Sequence, residues 1–280
     1  MSLAVVAFVA NDAAMKSVAA AMPMVQALGL RNTLVTLLFA GIAAATGDLR
    51  RWRALAESLV WGRAAADTLA TLLYMVSLTH VSLTLAVALN MATALCVLPL
   101  AGFFLRERIG WRRGLAVLTG FGGVLLVLRP TPEGLSGWAL LSAASAIFFA
   151  ARDVVTRRVP TRVPSLLMAV VMTATLMVVC LAWTAWAGWT PVLLAQWGEV
   201  AICAVLIAAG YYLSIAAFRV GEVSLTSAFR YTALPWGAAW GYFLWGEVPD
   251  VPAVAGAVLI LGAGLYALHC ERREAVAPFC

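Results

Sequence analysis

Charged residues are scarce in this chain. They make up 11% of its 280 residues, whereas hydrophobic residues make up 64%. Soluble globular proteins carry roughly 25% charged residues, and a soluble chain of this length could not cover so much apolar surface with so few polar groups. The composition therefore excludes a soluble globular protein and indicates an all-α integral membrane protein. We expect its apolar surface to contact the lipid bilayer.

The motifs of several enzyme and metal-binding classes are missing as well. The sequence has no GxxxxGKS or GxxxxGKT loop, so it carries no ATP motor of its own. It also has no HExxH motif, paired CxxC motif or carboxylate cluster, so we expect no metal and no cofactor. An integral-membrane enzyme acting on lipids would need acid and base groups that converge at one membrane face. The few charges within the spans are instead spread over both halves of the chain, which favours a protein that is not an enzyme.

Hydrophobic stretches of about 20 residues, enough to cross a bilayer, follow one another along the sequence. The connections between them are short, so no soluble domain remains. The ten predicted transmembrane helices are Leu3–Ala21, Gln26–Ala45, Leu59–Thr79, Ser82–Leu105, Gly114–Leu128, Gly137–Val155, Pro164–Trp186, Val200–Phe218, Ser224–Trp245 and Val251–His269.

Arginines concentrate in alternate connections, namely 50–53, 106–113 and 157–162, whereas the other connections carry little beyond Arg129. Basic residues flanking membrane spans stay on the cytoplasmic side. With an even number of spans, both termini are therefore predicted to be cytoplasmic. The net charge of +6 follows from this topology, so we expect no nucleic-acid partner.

The tetrapeptide VSLT occurs at Val81–Thr84 and again, 142 residues later, at Val223–Thr226. Asp12–Lys16 aligns with Asp153–Arg157 at a similar offset, and three glycines of span 5 align with three of span 10. These matches predict two five-helix repeats, residues 1–135 and 136–280, within one transport domain. Five spans per repeat is an odd number, so the copies would have opposite orientations. Such inverted repeats are typical of secondary transporters that work by alternating access; the alternative is a duplication that only enlarges a helical bundle.

Both halves also end in comparable segments. "LNMATALCVLPLAGFFLRE" ends at Glu107 and "RYTALPWGAAWGYFLWGE" at Glu247, and a glycine-rich helix follows each. In these features the chain resembles, over nearly its whole length, the EamA-type ten-helix members of the drug/metabolite transporter superfamily. One departure is Leu95, which stands where the family usually has a proline and where the second half has Pro235.

This resemblance implies export of amino acids, related metabolites or drugs across the bacterial inner membrane. The density of aromatic residues makes the chain look most similar to the YddG-type aromatic amino-acid exporters. A passive channel or a structural membrane partner is the remaining class, and it would not need two non-identical halves. The sequence leaves the substrate, the direction of transport, the coupling ion and the oligomeric state open.

Polar residues on span 3 recur every three or four positions and therefore share one side of a helix. Such a stripe either lines a wet cavity or joins helices. An amino-acid substrate needs a donor for its carboxylate, for which we predict Arg230, and an acceptor for its ammonium, for which we predict Asn90 or Asp67. Aromatic faces would hold its side chain. The predicted substrate-binding residues are Asp67, Tyr74, Asn90, Tyr211, Arg230, Tyr231, Trp236 and Trp240. The competing interpretation is that Asp67 neutralises Arg230 permanently.

Two further charged pairs suggest gates. Asp12 and Lys16 are four residues apart on span 1 and can pair, and Asp153 and Arg157 repeat this spacing on span 6. In inverted halves, Lys16 would lie near the outer surface and Arg157 near the inner one. The alternative is that these pairs only anchor helix ends to the headgroups. His80, at the outer end of span 3, is a candidate proton relay or an ordinary interfacial residue.

Overall fold

The structure is a computed structural model that describes residues 2–105, 111–128, 136–160, 162–220 and 229–276. The second VSLT copy, Glu107 and Arg129 lie outside these residues. Within the described part, regular structure is entirely helical. The α-helices are α1 (Ser2–Val18), α2 (Met24–Thr46), α3 (Ser58–Leu78), α4 (Leu83–Met91), α5 (Thr93–Leu105), α6 (Trp111–Leu128), α7 (Gly137–Arg158), α8 (Ser165–Ala187), α9 (Leu194–Val220), α10 (Ala233–Trp245) and α11 (Val251–Val276). Two 3-10 segments, Asp48–Ala56 and Phe229–Thr232, precede α3 and α10.

Five of the described helical segments are long and apolar enough to cross a membrane. They are Met24–Thr46, Leu83–Phe104, Gly137–Arg158, Ser165–Ala187 and Leu194–Leu213. Two shorter apolar helices lie at Gly114–Leu128 and Val251–Ala267. An all-helical protein with several membrane-spanning helices is thus confirmed, while the count of ten spans and their inverted arrangement stay predictions.

Local sequence signals set several helix ends. Prolines stand directly before α2 and α8, at Pro23 and Pro164, where no intrahelical hydrogen bond is lost. Gly47 and Gly246 end α2 and α10 with φ values of 79° and 64°, a left-handed conformation that favours glycine. The hydroxyl of Ser82 begins α4 by accepting a hydrogen bond from the backbone N–H of Leu85 at 3.2 Å. The resulting connections are short and bring successive helices side by side.

The most extensive helix contacts join the two halves of the chain to each other. α6 packs against α11, α3 against α7, α2 against α8, and α1 against α9. Smaller contacts join α4 to α10, α3 to α8, and α2 to α9. α6 and α11 approach most closely at Gly123 and Gly256, where a Cβ on either residue would lie within 2.8 Å of the other's carbonyl oxygen. The halves are therefore interleaved rather than set side by side.

The buried and exposed side chains are distributed as expected for a protein in a membrane. Fully buried leucines, among them Leu28, Leu78 and Leu89, occupy the interior, while large apolar side chains such as Phe103 and Leu118 are exposed on the periphery. This is the inverse of a soluble surface and suits contact with lipid. Seven tryptophans at or near helix ends are also exposed, as expected for rings at a membrane interface: Trp52, Trp61, Trp111, Trp138, Trp186, Trp189 and Trp197.

Candidate functional site

Two short stretches of 3-10 geometry lie at aligned positions of the two halves. The first is at Ala92, where i→i−3 hydrogen bonds join α4 to α5 within the membrane-spanning segment Leu83–Phe104. The second is Phe229–Thr232, which leads into α10. Asn90 and Arg230 stand at these two 3-10 turns, 140 residues apart, which is also the offset between Glu107 and Glu247. A 3-10 stretch within a helix often marks a hinge or a strained site.

A chain of ion pairs leads to Arg230. Asp67 on α3 binds Nη1 of Arg152 on α7 at 2.7 Å, and Nη2 of Arg152 binds Asp153 at 2.7 Å. The other oxygen of Asp153 lies 3.6 Å from Nη1 of Arg230. The side chain of Asp67 is 6% exposed and that of Arg230 is 49% exposed. The chain of charges thus runs from a buried carboxylate to a half-exposed guanidinium.

This arrangement argues against the competing interpretation in which Asp67 neutralises Arg230 directly, because Asp67 is bound to Arg152. Arg152 is the residue that the sequence analysis missed, and it carries both carboxylates on one guanidinium. The available signal was the Arg-Asp dipeptide within predicted span 6, since a charge inside a membrane span suggests function by default. Asp153, which was expected to face Arg157, is held by Arg152 and Arg230.

The polar stripe of α3 joins helices along most of its length. Nε of Arg63 donates to the Thr156 hydroxyl on α7 at 2.7 Å, and the same guanidinium contacts the sulfur of Met172 on α8. The Ser77 hydroxyl donates to the carbonyl of Trp138 at 2.7 Å. Together with the bond from Asp67 to α7, these contacts make the stripe a seam between helices.

A second buried polar cluster surrounds Asp12. The Tyr74 hydroxyl donates to one carboxylate oxygen at 3.0 Å, and the Asn11 amide donates to the other at 3.2 Å. Nη1 of Arg31, a residue 3% exposed, donates to the Asn11 amide oxygen at 3.3 Å. Arg31 was also missed, although it is an arginine inside predicted span 2. The cluster connects α1, α2 and α3. Asp12, expected to pair with Lys16, has Tyr74 and Asn11 as its hydrogen-bond partners instead.

Lys16 is bound elsewhere. Its Nζ lies 2.6 Å from Oε1 of Glu247 and donates to the carbonyl of Val81 at 2.9 Å. Oε2 of Glu247 accepts from the backbone N–H of Leu83 at 2.8 Å, and the Trp245 ring lies 4.8 Å from Nζ. We call this cluster the Lys16–Glu247 latch, because it ties the end of α1 to the α3–α4 connection and to the end of α10. The predicted pairing of Lys16 with Asp12 is therefore wrong.

Arg157 lies near the opposite end of the molecule, in the last turn of α7, and its side chain is exposed. Glu107, which aligns with Glu247 in the repeat, lies outside the described residues. The structure therefore describes one end of the proposed pair of gates in detail.

The aromatic candidates do not share one pocket. Tyr211 makes edge contacts with Phe8 and Phe39 at centroid distances of 5.6 and 6.0 Å. Tyr231 is 5% exposed, and its hydroxyl fills the space where a Cβ on Gly264 would lie.

Two further candidates lie on α10. The Trp240 indole N–H is buried and has no hydrogen-bond partner among the described residues. Trp236 is exposed. These positions favour packing roles for Tyr211 and Tyr231 and leave the two tryptophans as candidates.

His80 lies at the rim of the molecule. Its ring stacks on Trp138 with centroids 3.6 Å apart, and Nδ1 lies 2.7 Å from the Thr79 hydroxyl oxygen. Among the described residues, no hydrogen bond links it to Asp12 or Lys16. A role as proton relay stays a prediction. Among all the residues that the structure describes, no group of three or more His, Cys, Asp or Glu side chains could hold a metal ion.

The sequence matches the model of a known protein family. The model of the EamA-like transporter family matches residues 1–129 and, separately, residues 136–268. A solved crystal structure of a protein superposes with a TM-score of 0.63 at 18% identity, over 97% of this chain and 98% of the other, which shows a shared fold.

Relatives with named functions transport chemically different compounds. An S-adenosylmethionine uptake transporter of Rickettsia bellii is 29% identical over 68% of this chain and 65% of its own length. The pseudopaline exporter CntI of Pseudomonas aeruginosa is 26% identical over 93% of this chain and 92% of its own. A riboflavin transporter of Brucella anthropi is 26% identical over 69% of this chain. None of these three names specifies aromatic amino acids.

Proposed function

The chain belongs to the EamA-like transporter family, and on that premise we propose that it is a secondary transporter that exports amino acids or related metabolites across the bacterial inner membrane by alternating access. Family and relatives indicate a membrane transporter with a small-molecule substrate, not an enzyme. The relatives' names do not single out aromatic amino acids, so the proposal covers the amino-acid class as a whole. Export of other small metabolites or drugs is the second candidate, since pseudopaline and riboflavin appear among the relatives' names.

The observation that carries the proposal is the pair of 3-10 turns at Asn90 and Arg230. In secondary transporters, substrate sites form near the bilayer midplane, on the interface between repeats. Here both 3-10 turns fall at aligned positions of the two halves, and α4 packs against α10. A substrate between them would touch one polar side chain from each half.

The packing pattern supports the inverted repeat. In the repeat, α1, α2, α3, α4 and α6 correspond to α7, α8, α9, α10 and α11. If each helix is replaced by its counterpart, the α3–α7 contact becomes the α9–α1 contact, and the α3–α8 contact becomes the α9–α2 contact. The α6–α11, α2–α8 and α4–α10 contacts are unchanged by this exchange. A two-fold related pair of halves would give this pattern, and the family model also matches the chain twice. Both observations support the division into 1–135 and 136–280.

The charges favour a substrate with a carboxylate. Arg230 is half exposed, and its one described carboxylate neighbour is 3.6 Å away, compared with 2.7 Å for the pairs of Arg152. A guanidinium can bind a second carboxylate with two parallel hydrogen bonds. Asp67 is already bound to Arg152, so Asn90 is the better partner for the substrate's ammonium. S-adenosylmethionine has an amino-acid end of this kind, which supports the same substrate class.

Export is supported by the relative that matches over most of its own length, the pseudopaline exporter. Alternating access would open the site to one membrane face at a time, and the Lys16–Glu247 latch would close the outer face. Protons remain a candidate coupling ion, and transport measured with and without a pH gradient would identify them.

Transport by the purified protein in liposomes tests the proposal. We expect uptake of a labelled amino acid or of S-adenosylmethionine, and loss of that uptake in Arg230→Gln because the carboxylate loses its partner. The same variant should spare decarboxylated amines. Arg50→Gln, at an exposed arginine distant in sequence from Asn90 and Arg230, serves as the matched control and should transport normally. A folded Arg230→Gln protein with full amino-acid transport would remove Arg230 from the site.

A further inference from the structure

An arginine-lined cavity lies beside the 3-10 segment Asp48–Ala56, and neither Asn90 nor Arg230 lines it. Its volume is about 780 Å³. The lining residues are Arg51, Arg53, Ala54, Ala56, Glu57, Ser58 and Arg162. Arg162 comes from the connection between α7 and α8, so the cavity is built from both halves of the chain.

The cavity carries an excess of positive charge. Among the described residues that line it, Glu57 is the one carboxylate, and Nη2 of Arg162 lies 2.8 Å from Oε2 of Glu57. Within the described part of the chain, no carboxylate lies within salt-bridge distance of Arg51 or Arg53. Two guanidinium groups therefore remain for an anion, and a guanidinium matches the geometry of a phosphate.

The same segment lies at a membrane boundary. It begins two residues after α2, a helix that can cross the membrane, and ends two residues before α3. Trp52 is 64% exposed, and the guanidinium of Arg53 lies 5.9 Å from its ring. Tryptophan and arginine side by side are typical of the headgroup level of a bilayer. The Trp61 indole N–H donates to the carbonyl of Leu55 at 2.9 Å and fastens the segment to α3.

We propose that this cavity binds the phosphate of an anionic phospholipid from the adjoining leaflet, with Arg51 and Arg53 as the donors. The exposed side chains of Leu49 and Trp52, three residues apart in the segment, give the glycerol and upper acyl chain an apolar contact that free phosphate would not use. Uncompensated positive charge favours an anionic lipid over a zwitterionic one, because basic residues near the surface each attract anionic lipid. The assignment does not depend on which solute the protein transports.

Occupancy would also join the two halves at this end. Arg162 and Glu57 already bridge the α7–α8 and α2–α3 connections. A phosphate beside them adds a shared anion to that bridge, so bound lipid should raise the thermal stability of the whole protein.

Native mass spectrometry and thermal unfolding of the full chain in detergent test the assignment, with phosphatidylglycerol as the probe. The Arg51→Gln/Arg53→Gln variant should bind phosphatidylglycerol roughly tenfold or more weakly, and the lipid should no longer raise its unfolding temperature. Arg50→Gln is the matched control, since it removes the neighbouring exposed arginine that does not line the cavity. Circular dichroism checks that both variants are folded.

Three results would overturn the assignment. Equal losses in Arg50→Gln and in the double variant would mean diffuse attraction without a site. Equal binding of phosphatidylcholine by the unaltered protein would remove the preference for anionic lipid. Competition by glycerol phosphate or inorganic phosphate at concentrations equal to those of the lipid would identify a site for free phosphate.

Discussion

Arg152 holds two carboxylates, Asp67 and Asp153, on opposite nitrogens of one guanidinium. Asp153 aligns with Asp12 in the repeat, yet the two carboxylates have different surroundings. Asp153 is bound by arginines, whereas Asp12 accepts hydrogen bonds from the neutral donors Tyr74 and Asn11. Divergence at these positions gives the two halves different electrostatics within a similar framework.

The variant Arg152→Gln should destabilise the protein by about 3–5 kcal/mol, the usual cost of leaving a buried charge without its partner. Here Asp67 loses its ion-pair partner, and Asp153 keeps Arg230 at 3.6 Å. Thermal unfolding in detergent measures the effect. The double variant Asp67→Asn/Arg152→Gln removes the stranded charge of Asp67 and should recover part of the loss. An unfolding temperature for Arg152→Gln equal to that of the unaltered protein would contradict the role given to this residue.

The polar residues of the predicted spans could be identified from the sequence, but their partners could not. Asp12, Lys16, Asp67 and Arg230 were all identified, yet Lys16 pairs with Glu247 and not with Asp12, and Asp67 pairs with Arg152 and not with Arg230, its partner in the competing interpretation. Spacing along one helix favours partners within that helix, such as Asp12 and Lys16. The observed partners Glu247 and Arg152 lie 231 and 85 residues away, and only the packing of helices from different halves brings them close.

At the scale of helices, the Lys16–Glu247 latch should control access from one face. Lys16→Gln removes the charge that Glu247 binds, so a cysteine placed at Thr84, beside Glu247 and Gly241, should react faster with a reagent applied to that face. Replacing the native cysteines by serine isolates the signal. Arg157→Gln should produce the opposite bias, and Lys16→Arg, which keeps the charge, should react slowly. Equal rates in Lys16→Gln and the parent protein would leave only an anchoring role.

The two 3-10 turns differ in how far they could be predicted. Pro235, in the first turn of α10, has no backbone N–H to donate to the preceding turn, which suits the 3-10 segment before it. The first half has Leu95 at the corresponding place, and its proline, Pro99, lies inside α5. Hydropathy predicted one span over Ser82–Leu105, which the helical segment Leu83–Phe104 confirms, but the 3-10 turn at Ala92 has no local signal in the sequence.

For the whole molecule, the distribution of arginines predicts that both termini and the α2–α3 and α7–α8 connections are cytoplasmic. Cysteines placed at Arg50 and Arg158 should therefore escape an impermeant reagent added outside the cell. A cysteine placed at Trp189, in the exposed α8–α9 connection, should be labelled. The comparison uses a background without the native cysteines. Strong labelling at Arg50 would reverse the orientation and the assignment of the outer gate.

The interleaved packing of the two halves also bears on how the protein is made. Asp67 enters the membrane on α3 when Arg152, 85 residues later, has not yet been synthesised. Until α7 arrives, the nascent chain carries a carboxylate in the bilayer without its cation, and α1, α2 and α3 expose the faces that α9, α8 and α7 will cover. The first half is therefore an intermediate that the insertion machinery has to shelter, and correct assembly waits for the second half to be translated.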